Sequence, residues 1–321
     1  MSSAPLCYHR AVDDKRRRLL DLAADIPARC RLVEVSEGGS LERKLAKLRA
    51  FGPRYLRWAA ARLGLPAPKK TTMPLFWGRK IALPWSDDAD FVTFYLAGAP
   101  GGPEYKLVRW LIRNLKDDDC FYDAGANHGF FTFLACELLG ASGEVHAFEP
   151  MKDAFDALVA NAPGPGARLV EAALWDKTGT APLYRNPLSS SLSTLEAEVD
   201  AFHPAHADAP VDVATVTLDD YARRNRPPTV VKIDVEGGER RLLSGGAETF
   251  KTARPAVAME VWTGEGGERF SLPAAHALFA LGYSAHALTE EGGLTPVSEA
   301  ELPARLAALP AFWDNYIFLP S

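Results

Sequence analysis

The sequence predicts an α/β protein. Its core is a Rossmann-like, seven-stranded, mostly parallel sheet with an antiparallel last strand, behind a mainly helical N-terminal extension. Three observations predict this. In residues 120–132 an apolar, aromatic run ends at Asp123, glycines follow at Gly125 and Gly129, and Phe130, Phe133, Leu134 and Leu138 then recur at helical spacing. Glu144-Val-His-Ala-Phe-Glu149 reads as a second strand ending in an acid, 24 residues after Gly125. From there to residue 319, short apolar runs alternate with helical patterns, as a sheet with interleaved helices requires.

The elements follow in order. With 321 residues, 47% of them hydrophobic, the chain can build one large domain with an appendage. We divide it into residues 1–102, a basic extension or cap, and 103–321, the catalytic domain, with residues 186–210 as an insert or lid. Residues 1–80 hold 18 Lys and Arg against 7 Asp and Glu, a net of +11. The remainder holds 18 against 34, a net of −16, and the two give the overall −5. A solvated basic helix face docked on the acidic body or a second subunit explains this leader most simply. It also suits contact with a peripheral anionic surface, and a homodimer.

Helices are expected over residues 13–26 and 40–63, with a linker at residues 66–74 and a strand or hairpin over 75–83. Residues 104–115 form a helix with Leu107, Val108, Leu111, Ile112 and Leu115 on one face. The aromatics Trp58, Phe76, Trp77, Trp85, Phe91, Phe94 and Tyr95 pack under this cap or line an acceptor cleft. Beyond Glu149 come a helix at 152–161, strands at 168–174, 180–184, 211–217, 229–236 and 255–261, and a helix at 271–281. Strands at 283–288 and 313–319 close the chain. No apolar run reaches transmembrane length. The N-terminus lacks a secretory h-region. Cys7, Cys30, Cys120 and Cys136 show no C-x-x-C spacing, which predicts reduced thiols in a cytoplasmic protein.

A glycine turn between strand and helix brings backbone N–H groups against a ligand. The spacing Gly125-x-x-x-Gly129 is not the G-x-G-x-x-G that cradles a pyrophosphate, while Glu149 is placed to accept from ribose hydroxyls. That combination suits a nucleoside without phosphates, and S-adenosyl-L-methionine is the expected cofactor. Further on, strand periodicity puts Lys232, Asp234 and Glu236 on one side of a strand that should be apolar on both. Three charges there predict a site at the strand's C-terminal end.

The motifs Asp123-Ala-Gly-Ala-Asn-His-Gly129, Phe148-Glu-Pro150, Thr217-Leu-Asp-Asp220 and Val231-Lys-Ile-Asp-Val-Glu-Gly237 occur in this order. Together they resemble the FkbM family of S-adenosylmethionine-dependent methyltransferases, over roughly residues 115–319. The resemblance implies a class I methyltransferase fold. It also implies O-methylation of a sugar, glycan or natural-product hydroxyl.

The candidate cofactor residues are Asp123, Gly125, Ala126, Asn127, Gly129, Thr132, Glu149, Pro150, Asp176 and Asp234. Asp176 is either an acceptor for an adenine amine or a turn former before Gly179. For catalysis, Asp234 or Glu236 takes the hydroxyl proton, with Lys232 polarising the acceptor; Asp234 could equally contact the methionine amine. His128 is a second candidate base or a helix cap. Asp234, Glu236 and Glu260 offer oxygens to a divalent metal, but Lys232 among them argues against one, so none is expected. His203 and His206 lack a third ligand nearby.

A nicotinamide-dependent oxidoreductase is the enzymatic rival and lacks its pyrophosphate fingerprint. A non-catalytic nucleoside- or nucleic-acid-binding scaffold would use the basic leader but leaves the charged strand unexplained. No nucleic acid is expected as partner.

Overall fold

A computed structural model of the protein describes residues 13–24, 70–84, 103–164, 166–185, 193–196, 209–262, 271–309 and 313–321. Helix α1 (Asp14–Ala24), the hairpin β1 (Lys70–Pro74) and β2 (Lys80–Pro84), and α2 (Pro103–Asn114) come first. Next are β3 (Cys120–Ala124), α3 (Phe130–Leu138), β4 (Glu144–Phe148), α4 (Lys152–Ala160) and β5 (Ala167–Val170). A small sheet is built from β6 (Ala173–Leu174), β7 (Gly179–Leu183) and β8 (Val211–Val216). Then follow α5 (Leu218–Ala222), β9 (Val230–Ile233), α6 (Glu239–Gly245), α7 (Ala247–Thr252) and β10 (Ala256–Trp262). The chain closes with α8 (Ser271–Ala280), β11 (Tyr283–Leu288), β12 (Leu294–Val297), α9 (Leu302–Ala307) and β13 (Trp313–Pro320).

The main sheet runs β12-β11-β13-β10-β9-β3-β4-β5, and β10, β9, β3, β4 and β5 are parallel neighbours. Strand β13 inserts antiparallel between β10 and β11. Period-two alternation divides the interior into two cores. Phe121, Val230, Ala256, Ala258 and Ile317 face α1, α2 and α3. Tyr122, Val231, Val257, Met259, Tyr316 and Phe318 face α5 to α9. Strand order reverses at β3, whose neighbours β4 and β9 carry the chain to opposite sides, and ligands of open α/β sheets sit at the C-terminal ends flanking that point. No helix among the described residues is long and apolar enough to cross a membrane.

Several expectations are refined. The sheet has an eighth strand, because β12 extends the edge beyond β11; its Leu-Thr-Pro-Val sequence is short and carries a proline that only an edge tolerates. The run at 168–174 is not one strand. It bends after Val170, and β6 leaves to pair with β8. The strand expected over 229–236 stops at Ile233, so Asp234 and Glu236 belong to a turn rather than to its pleat. Residues 75–83 form the turn and second arm of a hairpin, where Phe76 and Trp77 pack on Phe130 with centroids 6.5 and 5.8 Å away. The helix expected at 40–63, the remaining cap aromatics, Cys7, Cys30, His203 and His206 lie outside the described residues.

Helix α1 docks on α2 through a buried arginine. Arg16 is 3% exposed; it donates to Ile112 O at 2.8 Å, Leu138 O at 3.2 Å and Asp117 Oδ1 at 2.9 Å. Replacing it leaves two carbonyls in the core without a donor, and charged hydrogen bonds contribute about 1.5–3 kcal/mol. Arg16→Ala should therefore lower the urea midpoint by an equivalent of about 2 kcal/mol at constant m-value. An unchanged midpoint would show that α1 adds nothing to the stability of the body.

Candidate active site

The glycine turn after β3 is shaped by contact with the neighbouring strand. Gly125 has φ +76°, and a Cβ on it would lie 1.9 Å from Asp234 O, so only glycine lets the two strand ends meet. Gly125 and Ala126 both donate to Phe148 O, at 3.1 and 3.0 Å, which ties the turn to the end of β4. Asn127 then takes a left-handed φ of +48° and turns its N–H onto Glu149 Oε2 at 2.7 Å. Glu149 Oε1 accepts from Met151 N at 2.8 Å. Burial pushes this carboxyl up to about 7 against the pull of those two N–H groups.

The charges on β3 and β9 form one buried unit. Asp123 and Lys232 are register partners on adjacent strands. Lys232 Nζ lies 3.5 Å from Asp123 Oδ1, 3.0 Å from Asp234 Oδ2 and 5.2 Å from the Phe131 ring centre. Asp123 Oδ2 accepts from Thr132 Oγ1 at 2.7 Å. Burial alone would lower the Lys232 ammonium, but Asp234 and Asp123 together outweigh it and hold the group above its ordinary value. Lys232 is a permanent cation here and serves as no proton acceptor.

Above it the acids crowd. Asp234, Glu236 and Glu260 each bring a carboxylate oxygen to within 4.8 Å of the others. Burial, then the charge of Asp234, pushes Glu236 and Glu260 well above the ordinary range. Burial also pushes Glu104, on the first turn of α2, and Glu239, on the first turn of α6, up to about 7. Glu236 sits at φ +50°, followed by Gly237 at +96°, and its carbonyl accepts from Thr194 Oγ1 at 2.6 Å. A left-handed non-glycine residue costs about 1–2 kcal/mol, and such strain gathers where geometry serves function.

A cleft opens between these groups. Gly125, Asn127, Glu149, Pro150, Asp234 and Glu236 line it on the polar side; Phe148, Met151, Leu174, Trp175, Leu183 and Leu195 form apolar walls. Trp175 is wedged under α6, where a Cβ at Gly245 would stand 2.0 Å from Trp175 O and one at Gly238 2.5 Å from Trp175 Cζ3. Ser193 and Leu195 of the insert also face the cleft.

The candidate residues thus separate. Gly125, Asn127, Glu149, Pro150, Asp234 and Glu236 converge on the cleft. Asp123, Thr132 and Lys232 lie behind it, buried at 0, 0 and 3% exposure, so Lys232 holds Asp234 instead of meeting an acceptor. Ala126, Gly129 and His128 are buried, His128 at 1%, and none lines the cleft, which removes His128 as a base in this geometry. Asp176 is taken by Arg241, 3.0 Å from Nη1, and also stands outside the cleft lining. Thr217 and Asp219 are structural: Thr217 Oγ1 caps α5 by accepting from Asp220 N at 3.0 Å, and Asp219 Oδ1 caps α7 by accepting from Thr249 N at 2.8 Å. Sequence reading missed Trp175, Met151 and Glu104. The signal for Trp175 was present, a lone aromatic directly after a strand.

These carboxyls set the pH dependence of the ligand-free fold. Glu104, Glu149 and Glu239 stand at about 7 when folded against an ordinary 4.5, so the folded state holds more protons between those values. Their contribution is present in full below about pH 4.5 and is lost as pH rises through about 7. The melting temperature should fall from about pH 5 to about pH 8, and Glu104→Gln should flatten that slope. A slope unchanged in Glu104→Gln would contradict the assignment.

The family model of the methyltransferase FkbM domain matches residues 123–284, about half of the chain. Hexuronic acid methyltransferase AglP of Haloferax volcanii is 28% identical over 169 residues, which cover 50% of this chain and 63% of the relative. This chain therefore spans less than two thirds of that protein's length. Among solved structures, methyltransferase FkbM from Methylobacillus flagellatus KT is similar at 15% identity and a TM-score of 0.42, over 71% of this chain and 52% of that one. Aeropyrum pernix fibrillarin, solved with natively bound S-adenosyl-L-methionine, is similar at 11% identity and a TM-score of 0.38, over 67% and 72% of the two chains. By the match over residues 123–284, the chain belongs to the methyltransferase FkbM domain family.

Proposed function

We propose that the protein moves a methyl group from S-adenosyl-L-methionine to a hydroxyl of a sugar or glycan. The observation that carries this reading is the pairing, in one cleft, of Glu149 at the end of β4 with Asp234 and Glu236 beyond β9. Family membership and the hexuronic acid methyltransferase relative point to the same chemistry.

The cleft fits the cofactor residue by residue. Glu149 keeps a free lone pair on each oxygen beside the one engaged by Asn127 or Met151, so both can accept from ribose hydroxyls. Trp175, Leu174 and Met151 offer apolar faces to an adenine ring. The Gly125 turn and Asp234 take the methionine end, where an ammonium would meet a carboxylate. When bound, the cofactor supplies a methyl already activated on a sulfonium.

What remains for the chain is alignment and proton removal. Holding acceptor oxygen, methyl carbon and sulfur in line contributes through proximity. With the cofactor's sulfonium methyl held in line by the Gly125 turn and Asp234, the acceptor hydroxyl would pass its proton to Glu236. Burial and the neighbouring Asp234 charge raise the proton affinity of Glu236, which suits it to this role. Lys232 is a positioning residue that pins Asp234.

Labelled methyl transfer should be assayed on a panel of uronic acids and neutral glycans. Glu236→Gln should lose about 10²–10⁴-fold in kcat while retaining S-adenosylhomocysteine affinity. Equal kcat for Glu236→Gln and wild type would exclude Glu236 as the proton acceptor. Failure on every hydroxyl acceptor, with transfer to an amine or carbon instead, would overturn the oxygen assignment.

A further inference from the structure

We propose that Arg241 is a positioning residue for the nucleoside base: from outside the cleft lining it ties the Trp175 wall to residues 193–196 of the insert. The inference rests on the nucleoside reading of the cleft and names the side chain that shapes its base end. Arg241 stands on α6 and does not itself line the cleft. Its guanidinium meets three groups at once. Nη1 donates to Asp176 Oδ2 at 3.0 Å, Nε donates to Glu196 Oε1 at 2.5 Å, and Cζ lies 5.3 Å from the centre of the Trp175 ring. A planar, delocalised fork suits two carboxylates and an aromatic ring together, which the compact ammonium of lysine does not.

Each carboxylate it holds adjoins a residue of the cleft wall. Asp176 directly follows Trp175, and Glu196 directly follows Leu195; Trp175 and Leu195 both line the cleft. The insert segment has a second anchor on its other side. Tyr184 and Thr194 exchange backbone hydrogen bonds at 2.8 and 3.1 Å. Thr194 Oγ1 donates to Glu236 O at 2.6 Å and accepts from Glu196 N at 3.0 Å. Thr194 therefore fixes the segment to the acid turn and Arg241 fixes it to the Trp175 wall, with Leu195 held between the two anchors.

Magnitudes say where the effect is felt. The Arg241 side chain is 47% exposed, and ion pairs that open to water add little to global stability. Local order is a different matter. Side chains fixed before the ligand arrives need not be ordered when it binds, and each one immobilised in advance favours affinity. Loss of Arg241 should thus weaken binding of the base out of proportion to any loss of stability.

The test is calorimetric titration of full-length wild type, Arg241→Met, Arg241→Lys, Glu196→Gln and the double variant Arg241→Met with Glu196→Gln, using S-adenosylhomocysteine and adenosine. Arg241→Met should weaken both ligands by the same factor, about 3–10-fold. Arg241→Lys should recover only part of that loss, and the double variant should bind no more weakly than Arg241→Met alone, because the two side chains act as one unit. The melting temperature of Arg241→Met should fall by no more than about 4 °C. Equal affinity of wild type and Arg241→Met would overturn the role. So would a loss for S-adenosylhomocysteine without one for adenosine, or a larger fall in melting temperature with additive single effects. Should Arg241→Met fail to fold, Glu196→Gln decides: weaker binding of both ligands supports the role, and unchanged binding overturns it. Failure of wild type to bind either ligand would remove the nucleoside reading and this role with it, whereas equal binding by wild type and variants removes the role alone.

Discussion

The buried Lys232 ammonium is the constraint around which the site is arranged. A cation with 3% exposure between two core strands is costly unless carboxylates surround it. Asp123 answers from β3 and Asp234 from the turn beyond β9, so one charge locks the two strands that flank the crevice. Beside this contact Asp234 N donates to Ala124 O at 3.3 Å, and Asp234 O lies so close to the glycine turn that position 125 admits no side chain. Glycine turn and acid cluster are therefore held side by side by the ion pair and the strand ladder together.

From this follows the chemistry the cleft can support. Lys232 is held by Asp123 and Asp234, and its charge offsets the crowding of Glu236 only in part. A carboxyl so raised holds its proton at rest and takes one from a hydroxyl only once it is ionised. Glu104 brings the first turn of α2 into the same field, so the segment ahead of the sheet shapes the electrostatics of the acid cluster as well as the packing. Across the cleft, Trp175 and Met151 supply the apolar half that a nucleoside base requires.

Much of this was legible in the sequence. Periodicity and the order of motifs pointed to the parallel core, the antiparallel β13 and the convergence of Gly125, Asn127, Glu149, Asp234 and Glu236. Depth was not legible. Strand alternation places Lys232 on a face without saying that Asp123 sits opposite it, and register across strands is a tertiary property. For the same reason His128 read as a base or a helix cap, and Asp176 as an adenine acceptor or a turn former, with no sign that the first is buried or that Arg241 holds the second. The bend after Val170, which carries Trp175 to the cleft wall, has no proline or glycine to announce it. The Thr217-Leu-Asp-Asp220 motif turned out to be helix capping, which a short acidic motif does not distinguish from a site.

In the proposed function Glu149 and the Gly125 turn hold a phosphate-free nucleoside. Calorimetric titration with S-adenosylhomocysteine beside NAD, on wild type and Glu149→Ala, tests it most directly. Binding of the first ligand should be micromolar, the second should not bind, and the variant should lose at least about tenfold, as for one removed charged hydrogen-bond partner. Tight NAD binding, or S-adenosylhomocysteine affinity untouched by Glu149→Ala, would contradict it.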